Sequence, residues 1–268
     1  AGEKLGSGTD VWKYWDERRA GNISKEQWEG VQGGIARSYG TCMTMGTAST
    51  MASLVEGMGL SLPTNATLPA VDARRMTLAH LSGKRIVEMV EEELNLSKVL
   101  TKESFQNAIT LNSAIGGSTN SVIHLLALAG RAEIELNLED FEKAEDIPLL
   151  VNLMPSGKYL MEDFCYAGGI AAVMDQIKKY IKPANTILNK DITHYFEGAE
   201  ILNKDVIKTL DDPLKASAGL KVLRGNLAPN GSVAKITGKE GFVFKGPAKV
   251  FDGEFDANNG ISSGDVNK

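Results

Sequence analysis

Cysteine is nearly absent from this sequence: Cys42 and Cys165 are the two in 268 residues. Two thiols cannot build a disulfide framework, and such economy fits a reducing compartment, so the cytoplasm is the expected setting. Histidine is also sparse. His80, His124 and His194 stand at no metal-ligand spacing from any partner, and His124, within an apolar helical pattern, reads as a hydrogen-bonded core residue. There is no excess of positive charge: 29 Lys and Arg stand against 34 Asp and Glu, a net charge of −5. Because the basic residues are scattered, a nucleic-acid surface is excluded. No stretch approaches the roughly 18 unbroken apolar residues of a membrane helix, and the opening Ala1-Gly2-Glu3-Lys4-Leu5-Gly6 has neither the basic region nor the apolar run of a signal peptide. The missing initiator Met points to a chain taken from something longer.

What is present suffices for a sizeable core, since 43% of the residues are apolar. A first short helix starts at Thr9 or Asp10 and closes at Gly21; Ser24 and Gln27 then form a capping box for a second, with Trp28, Val31 and Ile35 on one face. They lead to Gly40-Thr41-Cys42-Met43-Thr44-Met45-Gly46-Thr47-Ala48-Ser49-Thr50-Met51, after which Met51, Val55 and Met58 continue at helical spacing to Gly59. Cys42 is therefore expected just before or in the first turn of a helix, where bare N–H groups favour a thiolate that binds metal or attacks. The alternative, and the commoner fate of a free cysteine, is a small buried hydrophobe. A long helical pattern follows from about 71 to 94, broken or bent near Gly83, with Ile86, Met89 and Val90 inward and Glu88, Glu91, Glu92 and Glu93 outward.

Thr101 opens another helix through Phe105, Ala108 and Ile109, which runs into Ala114-Ile115-Gly116-Gly117-Ser118-Thr119-Asn120. Two readings stand here. Glycines and hydroxyls at a helix start make an anion cradle that puts Ser118 and Thr119 on a ligand, or they make a tight corner capped by the same residues. Residues 148–154 read as a buried strand ended by Pro155-Ser156-Gly157 and followed by a helix from about Tyr159, a βα unit of a parallel sheet whose loop would collect ligands. Lys158 in that loop either holds a carboxylate or is a solvated turn lysine. Cys165 reads as packing. From Leu220 the texture becomes short strands and turns, in residues 221–236 and 241–246. The expected fold is thus a three-layer α/β domain with a mainly parallel sheet over 1–212, then the first strands of a β-barrel domain over 213–268.

The run around Cys42 resembles the central cysteine motif of the dihydroxy-acid and sugar-acid dehydratases, the IlvD/Edd family. Four further segments agree in order: Leu5-Gly6-Ser7-Gly8-Thr9-Asp10-Val11-Trp12; residues 114–120; Asn152-Leu153-Met154-Pro155-Ser156-Gly157-Lys158 with Met161-Glu162-Asp163; and Leu223-Arg224-Gly225-Asn226-Leu227-Ala228-Pro229-Asn230-Gly231. The Met-Thr-Met wording after Cys42 and Tyr166-Ala167-Gly168-Gly169 are more similar to the pentonate branch, the L-arabinonate and D-xylonate dehydratases, than to the branched-chain amino-acid enzyme. The resemblance implies an iron–sulfur hydro-lyase, with a [2Fe-2S] or [4Fe-4S] cluster on three cysteines and Mg²⁺ nearby, that converts a 2,3-dihydroxy acid to a 2-keto-3-deoxy acid; a serine alkoxide takes the C2 proton. It implies a homo-oligomer, dimer or tetramer, and places Cys42 as the third cluster cysteine.

Departures from the pattern carry equal weight. The family's Cys-Asp-Lys motif and remaining cysteine should precede Ala1, and its Mg²⁺-binding Glu and serine base should follow Lys268. The chain is expected to be the middle of a dehydratase and inactive alone, since one thiolate cannot hold a cluster that needs three or four ligands. The other readings are dihydroxy-acid dehydration in branched-chain amino-acid synthesis and, from a different class, a non-catalytic α/β binding module.

Overall fold

The structure, a computed structural model, describes residues 4–236, 243 and 245–266. Two compact units divide the chain, residues 1–236 and residues 237–268.

The first unit is built from nine α-helices among the described residues: α1 (Thr9–Arg19), α2 (Lys25–Ile35), α3 (Thr47–Gly57), α4 (Ala73–Glu91), α5 (Lys102–Ile115), α6 (Asn120–Arg131), α7 (Leu138–Glu142), α8 (Met161–Tyr166) and α9 (Gly169–Gln176). Local chemistry sets several starts. Ser24 and Gln27 exchange side-chain and backbone bonds of 3.2 and 2.7 Å at the head of α2, and Thr101 does the same with Ser104 at the head of α5. Each reciprocal pair satisfies two N–H groups that a helix start leaves bare. Asp72 caps α4 through the Arg74 N–H at 2.9 Å.

Helix α5 is the centre. From Ser104 to Ile115 every residue except Gln106 is buried, and α3, α6, α7 and α9 pack around it. Phe105, Leu111 and Ile115 meet Leu54, Met58, Leu125, Ile170 and Met174 in one core. Each such side chain contributes roughly 1.5–3 kcal/mol by leaving water. Asn107 is buried without penalty, because its amide donates to the Lys182 carbonyl (2.8 Å) and accepts the Lys182 N–H (2.7 Å).

Three expectations are corrected. Residues 148–154 are extended and largely buried but form no parallel sheet. Leu149 bridges Lys215 and Val151 bridges Ile207, both antiparallel, while Leu153 bridges Tyr159 in parallel. The Leu150 N–H goes to Ala114 at the end of α5 and the Asn152 N–H to Val206. Each partner meets the segment for one residue, so its backbone is satisfied without a ladder. The barrel opening is a two-stranded antiparallel ribbon, β1 (Leu220–Gly225) and β2 (Ala228–Lys235), with Val222 opposite Val233. It is fastened to α7 and its C-terminal flank, where Glu145 takes the Val222 N–H (2.8 Å) and Lys221 (2.9 Å), and Arg224 bridges Glu139 and Glu142. Helix α4 runs without a break at Gly83, and Ile86 and Val90 face outward, 55% and 74% exposed, beside a buried Met89. The inward place belongs to Arg85, which reaches the Ile187 carbonyl at 2.6 Å and both oxygens of Glu92 at 2.6 and 2.7 Å. An arginine so tied fixes the rotation of the helix, and Glu92 is its partner rather than a free acid.

In the second unit α10 (Glu254–Ser262) carries Gly260 against the Phe251 ring. The strand expected at 241–246 lies outside the described residues at 241, 242 and 244.

Candidate active site

Cys42 lies in the loop between α2 and α3, four residues before the Gly46 cap of α3, and not in the helix itself. Helix and loop are nonetheless joined, because the Ser49 hydroxyl in the first turn of α3 donates to the Cys42 carbonyl at 3.3 Å. Gly40 makes the preceding turn possible. Its φ is +124°, and a Cβ there would fall 2.7 Å from that of Ala70.

Two distant stretches close on this cysteine. The Ser7 hydroxyl stands 2.5 Å from the Cys42 sulfur and the Thr44 hydroxyl 3.0 Å from it. The 5–10 stretch is held by Asp10, which takes the Gly6 N–H at 2.6 Å, and Gly6 leaves room for no side chain, since a Cβ would come 2.7 Å from the Met154 sulfur and 3.1 Å from Thr44. From the other side the 152–161 segment docks by backbone: the Met45 N–H donates to Met154 (2.8 Å) and the Met161 N–H to Met43 (2.8 Å). Lys4 then bridges Asp163 at 2.7 Å.

The resulting thiol is exposed and acidified. Partial burial pushes its pKa up, but hydrogen bonds from the Ser7 hydroxyl, the Thr44 hydroxyl and the Thr44 backbone together outweigh it, and the net shift is downward. It opens on a cleft of about 740 Å³ whose other walls include Arg37, Tyr39, Asn65, Thr67, Arg75 and Glu162. Cys165 contrasts with it: half-buried, it has a pKa raised by burial, which outweighs Thr67 and Arg74 nearby.

Other candidates are placed as follows. Ser118 lies over the start of α3, its N–H donating to the Thr50 hydroxyl (3.0 Å) and its hydroxyl 3.2 Å from that of Thr47, which also accepts from Asn120. Thr119 is the N-cap residue of α6 but makes no capping bond with its side chain. Neither residue lines the Cys42 cleft. Lys158 is exposed, its N–H on Asn152 (3.0 Å) and its ammonium 5.5 Å from the centre of the Tyr159 ring, in the same 152–161 segment that docks beside the cysteine. His80, His124 and His194 are all exposed, so His124 is not a core residue.

The family model for the dihydroxy-acid/6-phosphogluconate dehydratase N-terminal domain matches residues 2–195, and that for the C-terminal domain matches residues 205–268. The chain belongs to this dehydratase family. Among curated relatives, a protein named "Putative dehydratase IlvD1" from Rhizobium meliloti is 58% identical over 94% of this chain and 44% of its own length. The L-arabinonate dehydratase of Rhizobium leguminosarum bv. trifolii is 46% identical over the same shares, and the dihydroxy-acid dehydratase of Lactococcus lactis is 40% identical over 98% of the chain and 47% of its own length. The chain thus spans a little under half of these relatives.

Whether this dehydratase chain fits the metal groups of its family can be read from its donors. Cys42 fits as one ligand, because two hydroxyls and an N–H stabilise its thiolate at an open cleft. A full ligand set is not assembled: among the described residues no group of three His, Cys, Asp or Glu converges. Sequence reasoning missed Ser7 and Thr44 as partners of the sulfur, though both lie in the quoted motifs. It also missed Glu56, a carboxylate 2% exposed. The signal was available as a single acid in the apolar run Met51-Ala52-Ser53-Leu54-Val55-Glu56-Gly57-Met58.

Proposed function

We propose that the chain is the central part of a sugar-acid hydro-lyase, one that removes water from a pentonate such as L-arabinonate to give a 2-keto-3-deoxy acid. The observation that carries this reading is the meeting of Ser7, Thr44 and the 152–161 segment around Cys42, which opens on a cleft that Ser7 and Met161 also line. That three of the five co-linear motifs meet there, in a family of dehydratases, favours a working site over a scaffold that has lost its chemistry. The substrate class comes from the relatives, two of which act on L-arabinonate by name. The second reading, dihydroxy-acid dehydration, is favoured by relatives of that name at 40% identity and below.

In this reading Cys42 is one thiolate ligand of an iron–sulfur cluster. When bound, the cluster and Mg²⁺ supply Lewis acidity toward the substrate carboxylate and departing hydroxyl. The chain's own residues prepare the place. Ser7 and Thr44 favour the thiolate of Cys42 by hydrogen bonding, and Arg37 and Tyr39 bring a cation and a phenol to the cleft wall. For the substrate carboxylate we rank Lys158 ahead of Ser118 and Thr119, because its loop is joined to Met45 while the Ser118 hydroxyl is taken up by Thr47 and Asn120. The domain boundary near 212, a cytoplasmic setting and a homo-oligomer of two or four copies belong to the same reading; no helix among the described residues is long and apolar enough to cross a membrane.

The test is turnover. The complete reading frame should release 2-keto acid from L-arabinonate or D-xylonate faster than from 2,3-dihydroxyisovalerate, and the 268-residue chain alone should release none. Preference for the branched substrate supports the second reading, no turnover by the complete frame supports a binding module, and turnover by the isolated chain with iron bound overturns the claim that it is incomplete.

A further inference from the structure

One wall of the Cys42 cleft is a segment with little structure of its own. Residues 62–68 form neither helix nor strand, Thr64 takes a left-handed φ of +72°, and the turn bonds within them are long, 3.3 Å from Asn65 to Leu62 and 3.4 Å from Thr67 to Thr64. A non-glycine residue at such a φ is strained, so something outside the segment must hold it.

Two buried or half-buried charges do so from two helices. On α3, Glu56 accepts the Thr64 N–H at 2.9 Å with one carboxylate oxygen and the Ala66 N–H at 2.7 Å with the other. On α4, Arg75 donates to the Asn65 side-chain oxygen at 2.6 Å and to the Leu68 carbonyl. Anion and cation thus take alternate residues of the wall, the acid holding 64 and 66, the guanidinium 65 and 68. These are charge-assisted bonds, shorter than those the segment makes within itself. We propose that Glu56 and Arg75 form a clamp that positions the 64–68 wall of the cleft and thereby sets its width for substrate. Neither residue touches the cysteine; Glu56 is a positioning residue, and Arg75 both positions the wall and faces the cleft. That the cleft takes a sugar acid rests on the function proposed above, whereas the clamp itself does not.

The experiment is hydrogen–deuterium exchange read by mass spectrometry on the purified chain, comparing Glu56→Ala, Glu56→Gln and Arg75→Gln with Arg85→Gln, which removes an arginine of α4 that does not reach the wall. Losing two charge-assisted bonds should speed exchange of amides 62 and 64–68 by about tenfold or more in E56A and in R75Q, and by less in E56Q, which keeps one acceptor oxygen. Exchange in α5 should stay as in wild type, and R85Q should leave 62–68 unchanged. Unchanged exchange of the wall in E56A and R75Q overturns the proposal, and so does a parallel rise in α5, which would make the pair a general support. If E56A does not fold, E56Q and R75Q decide by the same two criteria. In the complete enzyme the ratio of kcat/KM for a C6 over a C5 aldonate should shift at least threefold in E56A, whose side chain does not line the cleft. A wall that loosens without that shift would leave the clamp standing and count against the sugar-acid cleft, and a wall that does not loosen would overturn the clamp whatever the substrate.

Discussion

Glu56 makes a quantitative demand on stability. Burial pushes its carboxyl up to about 7, and the Ala66 and Thr64 N–H bonds and the Arg75 charge offset only part of that. The ionisable groups facing it are Arg75 from α4 and Tyr195, whose hydroxyl donates to the Ser61 carbonyl at 2.8 Å. In the unfolded chain the same carboxyl titrates near 4.5. Between those two values the folded chain keeps a proton that the unfolded chain has lost, so this group's contribution to stability falls as pH rises from about 4.5 to 7 and is level above. From pH 5 to pH 8 the fall is about 2.5 kcal/mol, taking roughly 1.4 kcal/mol for each tenfold of proton affinity. Carboxylates such as Asp163, whose pKa is lowered on balance by Lys4 and the Leu160 N–H against burial, slope the other way, so wild type must be compared with Glu56→Gln and not read alone. Urea unfolding at both pH values should give a difference in stability, wild type minus E56Q, that drops by about 2.5 kcal/mol on going from pH 5 to pH 8. Parallel pH profiles for the two proteins would refute the reasoning, because they would mean that Glu56 titrates alike in folded and unfolded chains.

Other perturbations have equally definite outcomes. Phe105→Ala should cost about 3–5 kcal/mol in urea unfolding, since the ring, in the first turn of α5, is fully buried and packed by helices that cannot collapse into the space. Iodoacetamide should label Cys42 well before Cys165 near pH 7.5, and Ser7→Ala or Thr44→Val should slow the first reaction while leaving the second alone, as peptide mass spectrometry would show. Gly40→Ala should destabilise the chain by about 1–3 kcal/mol, for it combines a left-handed φ with a collision against Ala70; a stability equal to wild type would mean that the 36–42 loop adjusts freely.

How much of this was legible beforehand follows the range of each interaction. Capping at Ser24 and Thr101, the burial of Phe105 and the left-handed end of α5 at Gly116 are written within four residues of sequence, and were readable. Residues 148–154 were rightly read as extended and buried, but whether such a run joins a sheet depends on neighbours far along the chain, here 114, 206–208 and 215. The rotation of α4 was misread because hydrophobicity alone put Ile86 and Val90 inside, whereas a guanidinium with three good acceptors outranks two aliphatic side chains. At the site, the motif located the cysteine, yet the hydroxyl that tunes it comes from Ser7, 35 positions away. No local pattern announces that pairing.

The two backbone bonds that straddle Thr44, one to residue 154 and one to residue 161, have a bearing on how the protein is made. They bring in chain synthesised more than a hundred positions after the cysteine. Until the ribosome has delivered it, the sulfur has no fixed address, and the surroundings of the thiol are completed only once that later chain has docked.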